Sequence, residues 1–254
     1  MTPLRDALTL SIVSHGHGPL LLRLLADLNA LQPLRDLRVL VTLNLRTENL
    51  DPTPFANLRI ETIRNIAPKG FGANHNQAFR NCTTEWFGIL NPDLHVADDV
   101  FSQLLVHAAN RPAVALVAPR VLNSVGDIED SVRENLTPLS VLKRTLAPRS
   151  TRQMPPATPG FRWYAGMFYL IRSKAYAELA GFDERYFLYC EDYDLCARMH
   201  LKEWLLVQAP TVTVVHDAQR DSHRSSQYLR MHLVSLLRVW MSTPVWRIAW
   251  RRNA

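Results

Sequence analysis

The chain has 254 residues, 47% of them hydrophobic, and a formal net charge of +6. That size permits a large core and fits one large α/β domain or two small ones, of which one is expected. Three cysteines, Cys82, Cys190 and Cys196, lack paired Cys-x-x-Cys spacing and exclude a disulfide framework or a structural zinc site. No run approaches the roughly 20 uninterrupted apolar residues of a bilayer span, since even Pro19 to Leu31 is broken by Arg23, Asp27 and Asn29. The first ten residues carry Arg5 and Asp6 and have no long apolar secretion segment, so a cytoplasmic protein is expected.

Leu8 to Ser14 reads as a buried strand, His15 to Gly18 as a glycine-rich turn, and Pro19 onward as a helix with Leu20, Leu21, Leu24, Leu25, Leu28 and Leu31 on one face. Leu37 to Leu43, Leu58 to Ile63 and Trp86 to Leu90 are further strands, with helices around Ala73 to Asn81 and Asp98 to Ala109. Strands alternating with helices predict a mostly parallel sheet covered on both faces, with ligands at the carboxyl ends of the strands. The polar turns after Val13, Leu43 and Leu90 then face one crevice. Arg149 to Gly160, rich in Pro, Thr and Ser, is expected to be a mobile loop. Beyond it, Trp163 to Ile171 predicts a strand, Ser173 caps a helix through Leu179, and Asp192 to Leu201 forms another helix. Leu205 to Val215 is a strand around Pro210, and Ser225 to Met241 an amphipathic helix.

Three segments carry chemistry. Glu191, Asp192 and Asp194 stand among Tyr, Phe and Leu, surroundings that disfavour ionised carboxylates and suit a general base; acids in a first helical turn are the plainer alternative. Asn91-Pro92-Asp93 follows the fourth strand, so Asp93 is a candidate metal ligand, and His216, at the end of a later strand, could complete the site. Arg220 and Arg224 follow closely enough to neutralise phosphates. Lys69 to Asn76 sets two glycines before a helix whose N-terminus suits a nucleotide diphosphate. It is neither a Walker loop nor the three-glycine dinucleotide fingerprint.

Taken together, these segments resemble the family 2 glycosyltransferases, in particular the bacterial rhamnosyltransferase-like subgroup. The resemblance runs from residue 8 to 240 through Ile12-Val13-Ser14-His15, Gly70-Phe71-Gly72-Ala73-Asn74-His75-Asn76, Leu90-Asn91-Pro92-Asp93, Ala165-Gly166-Met167-Phe168, Gly181-Phe182-Asp183-Glu184, Glu191-Asp192-Tyr193-Asp194-Leu195 and His216. It implies a GT-A fold, α/β with a mostly parallel nucleotide-binding sheet flanked by helices. Residues 1–120 would bind the nucleotide sugar, and residues 121–254 the acceptor, ending in an amphipathic helix. It implies inverting transfer, with L-rhamnose from dTDP-rhamnose the best single donor, to a hydroxyl of a glycan or lipid-linked acceptor. Asp192 matches the base and Glu191 an acceptor-orienting acid. Asp93 and His216 would hold Mg2+ or Mn2+, with Asn91 standing where the family's Asp-x-Asp has its first carboxylate. Ser14, His15, Asn44, Gly72, Asn76, Asn91 and Arg220 would hold the nucleotide sugar. Asp93, Asp192 and His216 are expected to converge on one pocket.

A non-catalytic binding module of the same fold and a nucleotidyltransferase are the rival readings. Nucleic acid is not expected as a partner, because no helix-turn-helix, zinc-finger or RNP-like pattern occurs. Seven arginines against one acid between Gln219 and Arg252, together with Trp240, Trp246 and Trp250, suggest a peripheral contact at the inner face of a membrane, or a homodimer helix.

Overall fold

In the computed structural model, residues 2–146, 160–217 and 226–251 are described. After a single turn, α1 (Leu4–Ala7), the first half alternates as the apolar periodicity requires: β1 (Leu8–Ser14), α2 (Gly18–Ala30), β2 (Leu37–Leu43), β3 (Leu58–Arg64), α3 (Phe71–Phe79) and β4 (Trp86–Leu90). A two-residue strand β5 (Leu94–His95), helix α4 (Val100–Val106) and the long strand β6 (Val114–Asn123) follow. The second half holds β7 (Val132–Glu134), α5 (Pro138–Leu146), β8 (Arg162–Tyr164), β9 (Phe168–Arg172), α6 (Ser173–Glu178), α7 (Glu191–Leu201), β10 (Leu205–His216), α8 (Ser226–Met241) and α9 (Thr243–Arg251).

The main sheet runs β3-β2-β1-β4-β9-β6-β10-β5. Its first four strands are parallel, β9 is antiparallel to both neighbours, β6 and β10 are parallel, and β5 closes the edge antiparallel. The chain winds outward from β1 through β2 to β3, then returns to lay β4 on the other side of β1. That reversal opens a crevice at the carboxyl ends of β1 and β4. Alternation along the strands feeds two cores. Leu8, Leu10, Ile12, Trp86 and Leu90 pack with the leucines of α2 and with Phe101 and Leu104 of α4 on one face, while Phe87, Ile89, Tyr169 and Ile171 pack with α6, α7, α8 and α9 on the other.

The expected strands of the first half and the helix of α7 form with their ends within about two residues of the sequence limits. The segment Trp163–Ile171 does not make one strand. It divides into β8, which pairs with β7 in a separate ribbon, and β9, which enters the centre of the sheet. Between them Ala165, Gly166 and Met167 turn the chain: Ala165 N donates to Ser131 O and Asn91 N donates to Met167 O, so each side of the turn is tied to a different layer. Ser173 is the first residue of α6 rather than its cap, because its hydroxyl donates to Thr84 O at 2.7 Å and leaves the cap position to Arg172. In β10, Pro210 sits inside a shift of register between Ala209 and Thr213, as a residue without an N–H must. The expected loop at residues 149–160 lies, except for Gly160, outside the described residues.

Candidate active site

The polar turns after β1, β2 and β4 border one cavity of about 600 Å3, whose walls include His15, Asn44, Lys69, Asn91 and Asp93. Asn44 is the hub of this crevice. Its amide donates to His15 Nδ1 (2.9 Å) and Lys69 O (3.0 Å), and its carbonyl accepts from Lys69 N (2.9 Å) and Asn65 Nδ2 (2.8 Å). With both amide protons and both lone pairs used, Asn44 fixes the Lys69 loop and the His15 ring and has little left for a ligand. Ser14 is buried behind the turn, its hydroxyl donating to Glu48 and accepting from His17 N.

Two of the expected nucleotide contacts, Gly72 and Asn76, have packing roles in the fold. Gly72 does not line the cavity: it lies on the side of α3 against Phe182, where an added Cβ would stand 2.6 Å from the phenylalanine Cβ. Asn76 is a clamp on the turn before α7, accepting from Tyr176 Oη (2.6 Å) and Phe182 N (2.9 Å) and donating to Phe182 O (2.9 Å) and Glu184 (3.0 Å). Gly181 completes that turn at φ +70, with so little room that a Cβ would come 2.2 Å from Asn76 Oδ1. Arg220 lies outside the described residues.

Sheet topology brings Asp93 and His216 together across 123 positions of sequence. Asp93 immediately precedes β5, β5 pairs Leu94 with His216 at the end of β10, and Asp217 N donates to Asp93 O at 2.9 Å. His216 Nε2 lies 3.2 Å from Asp93 Oδ2. The other ring nitrogen, Nδ1, is 2.8 Å from Glu129 Oε2. Burial pulls the imidazole pKa down, but hydrogen bonding and charge from Asp93 and Glu129 outweigh it and raise it to about 9. Glu129 escaped the sequence reading. The signal was there in Asn123-Ser124-Val125-Gly126-Asp127, a turn in which Asn123 N bonds Asp127 O and Glu129 N returns to Val121 O, folding the acid back alongside β6.

A divalent cation fits this corner. Asp93 Oδ1 is buried with no protein partner, and His216 Nε2, 3.2 Å from Asp93 Oδ2, would exchange its proton for the metal on binding. A carboxylate oxygen beside an imidazole nitrogen is a donor set for Mn2+ or Mg2+ whose other positions are filled by phosphate oxygens and water. Among the described residues no group of three or more His, Cys, Asp and Glu is arranged to hold a metal by itself. Glu129 is in the position of the outer carboxylate that orients a metal-binding histidine.

Asp192 does not share the first cavity. It lines an adjoining one of about 410 Å3 with Glu191, Arg133 and Gly166. Phe71, Asn91, Leu188, Tyr189 and Tyr228 belong to the walls of both. Asp93, with His216 behind it, thus stands on one side of a common wall and Asp192 on the other.

The acidic pair is set by unusual backbone. Tyr189 and Cys190 are consecutive non-glycine residues in the left-handed region, φ 71 and 66, and Cys190 begins α7 without a side-chain cap. Asp192 accepts from Gly166 N (3.0 Å) and Tyr193 N (2.8 Å). Burial holds its pKa above the ordinary carboxylate range, a rise that the Arg133 guanidinium and these two N–H groups reduce without cancelling. Arg133 is held opposite Trp163 in the β7–β8 ribbon, its guanidinium 5.1 Å from the indole. Glu191 has none of this support: Oε2 is buried with no partner, and burial, followed by the Asp192 charge, holds its carboxyl well above the ordinary range. One negative charge shared by such a pair resides on Asp192, and Glu191 keeps its proton. Asp194, the third acid, turns away to Arg198 Nε at 2.7 Å, and Arg198 in turn donates to Leu179 O and Gly181 O.

Asp192 thus stands beside a crevice that has Asp93 and His216 at its far side, and the family model for glycosyl transferase family 2 matches residues 10–178. The chain belongs to that family and is a glycosyltransferase of GT-A fold. It is 29% identical to the N-acetylglucosaminyl-diphospho-decaprenol L-rhamnosyltransferase of Mycobacterium tuberculosis, over 89% of this chain and 81% of that one. It is 28% identical to rhamnosyltransferase WbbL of Escherichia coli, over 89% and 90% of the two. Among solved structures it resembles the mannosyltransferase PcManGT from Pyrobaculum calidifontis in complex with GDP-Man and Mn2+, with TM-score 0.60 and 17% identity. The alignment covers 92% of this chain, which spans 65% of the mannosyltransferase. S. aureus TarS 1-349 in complex with UDP-GlcNAc is similar too, with TM-score 0.59, 14% identity and 91% and 66% of the two chains covered.

Proposed function

We propose that this glycosyltransferase moves L-rhamnose from dTDP-rhamnose to a hydroxyl of a lipid-linked glycan, with inversion at the anomeric carbon. The observation that carries this reading is the common wall: a donor in the larger cavity and an acceptor in the smaller one meet at Asn91 and Tyr189, between Asp93 and Asp192. The sugar is the one that the M. tuberculosis and E. coli relatives transfer, and the acceptor class is that of the M. tuberculosis relative. Residues up to about 120 supply most of the donor side and those beyond it most of the acceptor side.

In the reaction the acceptor oxygen bonds to the anomeric carbon as the bond to the diphosphate oxygen breaks and its electron pair leaves with the nucleotide. Asp192 takes the hydroxyl proton, a contribution of about 10²–10⁴-fold in rate for a positioned base. Gly166 N and Tyr193 N keep the accepting oxygens aimed. Glu191, protonated, offers the acceptor a hydrogen bond from the next position. Asp93 and His216 would hold Mn2+ or Mg2+, which supplies neutralisation of charge on the departing diphosphate. His15, Asn44 and Lys69 shape the donor crevice, and Ser14, Gly72 and Asn76 act by holding that framework from behind.

No helix among the described residues is long and apolar enough to cross a membrane. A lipid-linked acceptor is reached in this reading by peripheral contact at the inner face of the membrane. The direct test offers dTDP-rhamnose, UDP-GlcNAc and GDP-mannose with N-acetylglucosaminyl-diphospho-polyprenol, with Mn2+ and with EDTA, and follows nucleoside diphosphate release and product mass. Release from dTDP-rhamnose with a rhamnosyl product is expected. Release from another donor alone overturns the rhamnose assignment, and none from any donor overturns the transfer.

A further inference from the structure

The outer face of α8 is apolar along its whole length. Leu229, Leu233, Leu237 and Met241 recur every four residues and are 53–81% exposed, while Ser235, Leu236 and Val239 on the opposite side are buried. Helix α9 repeats the pattern: Val245 and Ile248 enter the same core, and Trp246 and Trp250 face out, Trp250 at 76% exposure. The helices are locked together, Trp246 Nε1 donating to Trp240 O and Trp240 Nε1 to Leu136 O. Both helices bury their inner faces in the same cluster and leave large apolar side chains exposed. So many large apolar side chains exposed on two adjoining helices mark an interaction site.

Charge says what covers it. From Ser226 to Arg251 the sequence has Arg230, Arg238, Arg247 and Arg251 and no Asp or Glu. Arg185, Arg230 and Arg238 also border a notch of about 340 Å3 whose other walls include Phe187, Met231 and Val234. Arg185 is paired with Asp183, but Arg230 and Arg238 set into apolar walls, and Trp246 and Trp250 exposed on α9, complement the phosphate and acyl boundary of an anionic bilayer, where an amphipathic helix lies in the interface plane.

The same helix is joined to the acceptor pocket. Tyr228, Leu229 and His232 border that pocket. His232 stacks on Tyr189 with ring centroids 5.1 Å apart, and Ser235 Oγ donates to Leu188 O at 2.9 Å. We infer that the outer faces of α8 and α9 dock on an anionic membrane surface and thereby hold the mouth of the acceptor pocket at the lipid boundary. The inference rests on the lipid-linked acceptor reading and adds to it the surface that makes the contact.

The test uses the full chain and vesicles of phosphatidylglycerol with phosphatidylcholine, against phosphatidylcholine alone. Leu233→Glu with Leu237→Glu is the variant, because both side chains are exposed and neither borders a cavity of the site. Wild type is expected to co-sediment with the anionic vesicles at low salt and to release at high salt, and the double variant to lose about tenfold in binding while retaining dTDP binding in solution. Failure of wild type to co-sediment overturns the inference, as does equal binding by the variant. A dimer in light scattering that the variant dissolves, without vesicle binding, overturns it in favour of an interface between two copies. If dTDP does not bind wild type, the donor assignment falls and the vesicle result still decides the docking surface.

Discussion

The two cavities of the site are built by different means. The larger cavity, proposed for the donor, rests on regular strand ends: β1, β2 and β4 are parallel, their apolar residues set their register, and the turns that follow are delivered to one edge of the sheet. The smaller cavity, proposed for the acceptor, rests on irregular backbone, a two-strand ribbon, the Ala165–Met167 turn and two left-handed residues before α7. Regular strands need only a hydrophobic pattern to place a side chain. Irregular backbone needs specific partners, and here these are the N–H of Gly166 for Asp192 and the indole of Trp163 for Arg133.

That difference governs what the sequence makes legible. The strands β1 to β4, α7, β10 and the positions of Asp93, Asp192 and His216 at element ends all follow from periodicity and turn chemistry. Three features do not. Glu129 reaches His216 only through a hairpin turn, Arg133 reaches Asp192 only through the ribbon, and the division of residues 163–171 depends on bonds to Ser131 and Asn91, each distant in sequence. A glycine-rich turn before a helix suits a phosphate, and nothing in its sequence shows that Gly72 and Asn76 also pack α3 against the loop before α7.

Glu129→Ala is expected to bear on the donor side alone. Freed of its outer carboxylate, His216 loses its orientation, and Mn2+ affinity, read by electron paramagnetic resonance, should fall about 10- to 100-fold. Unchanged affinity would separate Glu129 from the metal corner. On the acceptor side, Arg133→Gln removes the charge that pulls the Asp192 pKa down. The acidic limb of the turnover profile should move to higher pH, so that the loss is several-fold near pH 6 and smaller near pH 8. A uniform loss across pH would make Arg133 a structural residue only.

The smallest effect is on stability. Glu191 has a folded-state pKa well above its ordinary 4.5, so the native state binds the proton more tightly than the unfolded chain, and stability declines as pH rises past the ordinary value toward the folded one. Glu191→Gln has no such loss. Its melting temperature should match wild type near pH 4 and exceed it by about 2–4 °C near pH 8, the shift that roughly 1 kcal/mol gives a chain of this length. A variant that melts lower at every pH would show that the buried acid is better satisfied than its unpartnered Oε2 indicates.

The division of labour across the common wall is tested most directly by measuring donor binding and transfer side by side in Asp192→Asn and Asp93→Asn. The geometry predicts that Asp192→Asn keeps the donor dissociation constant within about twofold while transfer falls about 10²–10⁴-fold, and that Asp93→Asn weakens Mn2+-dependent donor binding itself. Full transfer by Asp192→Asn, or loss of donor binding in that variant with none in Asp93→Asn, would contradict it.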